Sequence, residues 1–145
     1  MSNNVKDLIV NADIEVHASV GQVWKALVDR ESLRQFMMGA DVISDWKEGS
    51  PIVWRGIVNG VNYEDKGTVL KLIPEHMVHY SHYSKLSGKP DLPENYHSVA
   101  ITLSDRGEYT LVSLSQTNNA SEAELRHNEW GWKMILGYLK KFLEK

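Results

Sequence analysis

The chain opens with an alternation of apolar and polar residues, and a stretch with helical spacing follows. From Leu8 to His17 every second residue is apolar, which is typical of a strand with one buried face. Ser19 and Gln22 then have the spacing of a capping box, which satisfies free backbone donors at a helix start. One apolar stripe runs along that predicted helix: Val20, Val23, Trp24, Leu27 and Val28. Leu33 and Phe36 indicate a short second helix or turn.

The middle of the chain predicts six further strands joined mostly by short turns. They are Val42–Trp46, Pro51–Val58, Val61–Ile73, Met77–Tyr83, His97–Ser104 and Glu108–Thr117. Asn59-Gly60 is a strong hairpin signal, because both central residues of a type I′ turn need positive φ. The connection Lys85–Asn95 contains one glycine and two prolines and is predicted to be a loop. Short turns between consecutive strands imply an antiparallel meander.

The end of the chain predicts one long helix, from about Ser121 to Leu143. Its apolar residues keep a helical period for about five turns. Two glutamates near its start and two lysines near its end suit the helix dipole. The predicted order is therefore strand, one or two short helices, six strands and a long helix. An antiparallel sheet with one apolar face can be covered by such an amphipathic helix, so we predict an α+β fold.

Composition narrows the class of protein. The 145 residues suit one domain, 1–145, and 42% hydrophobic with 24% charged residues is an ordinary globular balance. The net charge of −3 argues against a nucleic-acid partner, which usually meets a basic surface. No cysteine is present, which excludes disulfides and a thiolate nucleophile. No apolar run is long enough to span a membrane, and Met1–Asp7 lacks the apolar stretch of a signal peptide, so we expect a cytoplasmic protein.

Motifs for catalysis or cofactors are lacking, so we expect no metal and no cofactor. His76, His79 and His82 form the densest group of potential metal ligands, but alternation on a strand turns His79 away from the other two. The sequence has no G-x-S-x-G elbow, and its glycines form neither a P-loop nor a dinucleotide fingerprint. The pairing of three carboxylates is left open: Glu64, Asp65 and Glu94.

Aromatic residues are the most informative side chains. Trp24 and Trp132 lie on helix stripes and are predicted to pack in the core, and Gly131 is predicted to leave room for close approach of the last helix. The β region supplies the others: Trp46, Trp54, Tyr63, Tyr80, Tyr83 and Tyr96. Rings with polar tips suit a wet pocket, although strands are enriched in aromatic residues in any case. Gln116 shares a face with apolar neighbours and either places an amide inside or frays at the strand end.

Several segments together carry a resemblance to a known family. They are Ile14–Ala18 with Val23–Leu27, Asp65–Pro74, Thr110–Leu114 and Trp132–Lys140. These segments resemble the START and pollen-allergen superfamily and, within it, the domain related to the activator of the heat-shock protein 90 ATPase. The resemblance implies a helix-grip fold, in which a curved antiparallel sheet wraps around the long C-terminal helix and leaves a cavity. Relatives use that cavity for lipids, hormones, polyketides or other apolar molecules.

The leading hypothesis is therefore binding of a small apolar or amphipathic molecule between the middle strands and the N-terminal half of the last helix. The predicted wall consists of Trp54, Tyr80, Gln116 and Trp132. Tyr83 and Tyr96 flank the loop Lys85–Asn95 and are predicted to stand at the mouth, with the loop as a lid. Tyrosine hydroxyls or the Gln116 amide would anchor the polar part of the ligand.

Two other hypotheses follow from the resemblance. One is a chaperone-linked interaction module with a role in the stress response, although the named relative has an additional N-terminal domain without a counterpart in this sequence. The other is an enzyme of the polyketide cyclase type. The lack of a recognisable catalytic motif favours the binding protein over the enzyme.

Overall fold

The computed structural model describes residues 8–145. The segment Met1–Asp7, for which the sequence predicts no signal peptide, lies outside the described residues. The strands are β1 (Val10–Val16), β2 (Asp41–Ser44), β3 (Pro51–Val58), β4 (Val61–Ile73), β5 (Met77–His82), β6 (His97–Asp105) and β7 (Thr110–Gln116). The helices are α1 (Val20–Leu27), α2 (Arg30–Phe36) and α3 (Glu122–Leu143). None of the helices between residues 8 and 145 carries an uncharged apolar run that could cross a bilayer.

The strands form one antiparallel sheet in the order β1-β7-β6-β5-β4-β3-β2. Strands β2 to β7 are a meander, as predicted, and β1 joins its far edge by pairing with β7 from Val10↔Gln116 to Val16↔Thr110. The sheet curves around α3, so the predicted α+β helix-grip architecture is confirmed. The pairing of β1 with β7 places the first and last strands side by side beneath the C-terminal part of the chain.

Local signals produce most of the element boundaries. The Ser19 hydroxyl accepts from the Gln22 backbone N–H, and the Gln22 side chain accepts from the Ser19 N–H, which completes the predicted capping box. Asn59 and Gly60 have φ of 51° and 77°, as a type I′ turn requires. Strand β2 ends at Ser44 rather than at Trp46, because Trp46 has a φ of 52° and leaves the extended region.

The core lies on the inner face of the sheet, against α3 and the short helices α1 and α2, and includes residues of all seven strands. Alternate residues of these strands are buried, and Leu136 and Leu139 of α3 pack onto them at 4% and 0% exposure. Phe36 of α2 closes the side of this layer, with its ring 6.4 Å from that of Phe142. Full burial of such side chains stabilises the fold by about 1.5–3 kcal/mol each.

Strand β4 approaches β5 unusually closely at one glycine. A Cβ at Gly67 would overlap the backbone carbonyl of Ser81. Around this point Lys66 and Tyr83 exchange backbone hydrogen bonds, and the register shifts between Val69 and Lys71. A bulge of this kind bends a strand and increases its twist. Gly67 therefore permits the close contact between β4 and β5 that precedes this irregularity.

Replacement of Gly67 by alanine should destabilise the protein strongly. The added methyl group meets backbone rather than a mobile side chain, so we expect the free energy of unfolding to fall by at least about 2 kcal/mol. Gly137→Ala is the control, since a Cβ there meets nothing within 4 Å and alanine favours the helix by roughly 0.5–1 kcal/mol. Denaturant unfolding measures both, and equal stability of the two variants would contradict the proposed close approach.

Candidate functional site

A cavity of about 760 Å³ lies between the sheet and the middle of α3. Its walls come from β3, β4 and β5, from the middle of α3 and from the turn between α2 and β2. Its volume is in the range of pockets that enclose small molecules. Deeper in the core, beside Leu136 and Leu139, only about 20 Å³ remains, which is about the space of one water molecule. The usable room is therefore at the open end of the sheet.

Four of the predicted site residues meet in this cavity. Trp54, Tyr80, Gln116 and Trp132 all line it. The rings of Trp54 and Tyr80 are 5.3 Å apart, and both side chains are buried in the wall. Burial raises the pKa of the Tyr80 phenol well above its ordinary value, so the hydroxyl stays protonated and can donate. Trp24 packs against the core, and Trp46 lines the small apolar space beneath the cavity.

The structure does not bring Tyr83 and Tyr96 to the cavity. Tyr83 follows the inward-facing His82 and therefore points to the opposite face of the sheet. The Tyr83 hydroxyl donates to the Lys89 carbonyl at 2.6 Å, and its ring stacks on Tyr96 at 5.2 Å. The Tyr96 hydroxyl in turn donates to Asp91 at 2.6 Å. These contacts tie down the loop Lys85–Asn95, which is a fixed part of the outer face and does not cover the cavity.

An acidic and a basic side chain meet on the cavity floor. The second carboxylate oxygen of Asp65, Oδ2, lies 2.9 Å from Nε2 of His82. The ring of His82 stands edge-on to Trp54 at 4.9 Å. Both residues face inward. Asp65 lies opposite the inward-facing Trp54 in the β3–β4 register, and the close approach at Gly67 brings His82 of β5 next to β4. The only sequence signal for Asp65 is its position in the inward-facing alternation of β4, with Gly67 and Val69.

The three histidines of the sequence analysis do not converge. His76 lies in the turn before β5 rather than on the strand, and His79 contacts Ser98 on the other face of the sheet. His82 is the member of the group that lines the cavity. Within residues 8–145 no three His, Asp or Glu side chains are grouped as a metal site would need.

Tyr63 occupies a place that a glycine creates. Gly56 lies directly opposite Tyr63 in the β3–β4 register, and a Cβ at Gly56 would come within 2.6 Å of the tyrosine ring. The ring can therefore lie across β3 and form part of the wall. Burial and the nearby charge of Asp65 raise the pKa of the Tyr63 phenol.

Two buried acceptor atoms in the cavity wall have no partner in the described part of the chain. They are Oδ1 of Asp65 and Oε1 of Gln116. A buried polar atom left without a hydrogen bond costs about 1–3 kcal/mol. A bound group that donates hydrogen bonds would recover this cost, so both atoms mark the polar end of the site.

The rim of the cavity is apolar. Met38, Ile57 and Val58 line it and are 56%, 70% and 47% exposed. The turn that carries Met38 is held by a salt bridge from Arg30 to Asp41, with N–O distances of 2.7 and 2.8 Å. The Arg30 guanidinium lowers the pKa of Asp41 to about 2, so this anchor is charged throughout the neutral range.

Gly131 does not serve the close packing that the sequence suggested. A Cβ at Gly131 meets nothing within 4 Å, and the residue lines the cavity on α3. The absence of a side chain there leaves room for a ligand rather than for the sheet. The neighbouring Trp132 is only partly buried, because one part of its ring packs on the core and another borders the cavity.

Trp132→Ala should therefore cost less stability than a fully buried tryptophan would. We expect a loss of about 1–3 kcal/mol, since the part of the ring that faces the cavity makes few contacts to lose. Leu139→Ala on the same helix is the matched control and should cost about 2–5 kcal/mol, because Leu139 is 0% exposed. Chemical unfolding of both variants tests this, and a loss above that of Leu139→Ala would contradict the half-open position of Trp132.

The family model of the Activator of Hsp90 ATPase homolog 1-like protein matches residues 17–144. The chain belongs to this family. The solution structure of ChR145 from Cytophaga hutchinsonii is 48% identical, covers 94% of this chain and 93% of its own, and has a TM-score of 0.82. No curated protein matched the sequence.

More distant structures share the fold. The Aha1 dimer from Colwellia psychrerythraea is 24% identical, with 94% of this chain and 96% of that one covered and a TM-score of 0.73. DynU16, a protein of the dynemicin biosynthetic locus, is 19% identical with a TM-score of 0.80. The match covers 97% of this chain but 48% of DynU16, so the chain spans about half of that protein.

Proposed function

We propose that this member of the Activator of Hsp90 ATPase homolog 1-like family binds a small amphipathic molecule in its cavity. The observation that carries the proposal is a pair of buried acceptor atoms without a partner, on Asp65 and Gln116, two residues that line a cavity of about 760 Å³. Proteins rarely leave buried polar atoms unsatisfied, and such atoms in a pocket fix the orientation of a ligand.

The two ends of the proposed ligand meet different surfaces. Its polar groups lie against Asp65 on one side of the cavity and Gln116 on the other, where each donated hydrogen bond removes an unsatisfied acceptor. Its apolar part packs between Trp54, Tyr80 and Trp132. The apolar rim then serves as the entrance, since exposed apolar side chains beside a pocket are typical of ligand-binding grooves. Binding of this kind needs neither a metal nor a cofactor.

A chaperone-linked role is the second candidate, and the family description favours it. One relative of known structure is described as an Aha1 dimer. The chaperone-linked role would be favoured over small-molecule binding if the chain co-purified with a chaperone. The contact should then also persist in Gly131→Leu, the variant that obstructs the cavity.

An enzyme is the third candidate, and the Asp65–His82 pair favours it. A carboxylate that holds an imidazole at 2.9 Å is the usual way to orient a general base. DynU16 shares the fold and belongs to a biosynthetic locus. If the wild-type protein converted a bound molecule chemically and His82→Gln lost that activity, the protein would be an enzyme rather than a binding protein.

A substitution at Gly131 tests the binding proposal directly. Gly131→Leu should place a branched side chain inside the cavity without disturbing the fold, because a Cβ there meets nothing within 4 Å. We expect the wild-type protein to enhance the fluorescence of Nile red, a neutral apolar dye, and Gly131→Leu to weaken that binding at least about tenfold, or about 1.4 kcal/mol. Native mass spectrometry of freshly purified protein should show a retained small molecule that the variant loses.

Gly137→Leu is the matched control. It places the same side chain on the same helix, with equal free space around its Cβ, but Gly137 does not line the cavity. Its dye binding should equal that of the wild type. Equal dye binding by all three proteins, with no retained molecule, would refute the cavity as a binding site.

A further inference from the structure

We infer that the cavity selects a protonated amine as the polar end of its ligand, in preference to a carboxylate or phosphate. This inference rests on the proposed binding function and names the ligand class. It is carried by the charge and hydrogen-bonding capacity of the side chains that line the cavity.

The lining offers negative charge without fixed positive charge. Among its side chains are one carboxylate, Asp65, two imidazoles, His82 and His127, and no lysine or arginine. The basic residues next to these lining positions on β3 and β4 form salt bridges on the outer face of the sheet. Arg55 pairs with Glu64 at 2.8 Å, and Lys66 pairs with Asp91 of the loop Lys85–Asn95. An anionic ligand would therefore meet a like charge and find no guanidinium or ammonium group to bind it.

The carboxylate also has an unused acceptor. Oδ2 of Asp65 contacts His82, whereas Oδ1 is buried without a partner in the described chain. A carboxylate offers acceptors only, so the group that completes Asp65 must donate a hydrogen bond. Charge-assisted hydrogen bonds are about twice as strong as neutral ones, and low local polarity strengthens them further. An ammonium group supplies both the donor and the opposite charge.

A second acceptor and an aromatic wall complete the match. Gln116 offers a second acceptor on β7, and β6 and β5 separate it from Asp65 on β4, so a further donor along the ligand would serve it. Rotation of the Gln116 amide presents either its oxygen or its NH₂ group to a ligand, whereas both oxygens of the Asp65 carboxylate are acceptors. Selectivity for a donor therefore depends on Asp65. The rings of Trp54 and Tyr80 stand 5.3 Å apart in the wall. Aromatic faces attract cations and repel anions, and tryptophan does so most strongly.

A series of ligands with one chain and different heads tests this inference. Dodecylamine, dodecanol and dodecanoate are compared by displacement of Nile red at pH 7.5, at concentrations where each is monomeric. We expect the amine to bind at least about tenfold more tightly than dodecanoate, which corresponds to about 1.4 kcal/mol, with dodecanol between them. Equal or tighter binding of dodecanoate by the wild-type protein would overturn the inference without any variant.

Asp65→Asn identifies the source of the selectivity. This change removes the charge but keeps a side chain that can contact His82, so the amine should lose at least about tenfold in affinity while dodecanol changes less than about twofold. Glu64→Gln is the control, since Glu64 is the neighbouring carboxylate, lies on the outer face and is exposed. Thermal unfolding confirms that both variants are folded. An amine preference that survives Asp65→Asn would overturn the assigned role of Asp65.

The outcomes separate the inference from the proposed function. If all three ligands bind equally and Gly131→Leu blocks them, the cavity is a binding site without amine selectivity, and the inference alone fails. If none of them binds and Gly131→Leu leaves Nile red unaffected, both fail together.

Discussion

The close approach of β4 to β5 at Gly67 is the constraint on which the rest of the site depends. Backbone occupies the space of the missing side chain, and the strand register shifts just beyond it. The cavity lies beside this irregular pairing, between β3, β4, β5 and the middle of α3. The close approach at Gly67 sets Asp65 beside His82, although the two residues belong to different strands. Gly67 thus permits the strand pairing that forms the polar floor of the cavity.

The interior divides into a packed part and an open part along the same helix. Around Leu139 the side chains of α3 interlock with the sheet and leave about 20 Å³, whereas around Gly131 the same helix borders about 760 Å³. Stability resides in the packed part, because apolar burial and close contact are concentrated there. Substitutions of side chains that line the open part should therefore cost little stability. Trp132 is an example, because it is only half-buried.

The comparisons identify the fold and the family, and the side chains of the cavity carry the chemistry. Structures only 19–24% identical to this chain share its architecture. A shared scaffold of this kind supports many functions, so specificity must come from the residues that line the space. Here those residues combine an aromatic wall with Asp65 and without a fixed cation. We propose that this combination favours a ligand with donors and positive charge over the fatty acids that a purely apolar cavity would accept.

The sequence by itself determined the elements and their order, because their signals are local. Alternation predicted the strands, the Ser19–Gln22 capping box began α1, and Asn59-Gly60 closed the β3–β4 hairpin. It also pointed to Trp54, Tyr80, Gln116 and Trp132, since inward positions on strands and helix stripes meet in one interior.

Only the tertiary structure decided which side chains meet across distant strands. The Asp65–His82 pair spans 17 positions and depends on the close pairing of β4 with β5 around Gly67, which no local pattern predicts. Tyr83 and Tyr96 were expected at the mouth but lie on the outer face, because one position along a strand reverses the side on which a residue lies. Distances between side chains are set by sheet curvature and register, which are properties of the whole fold.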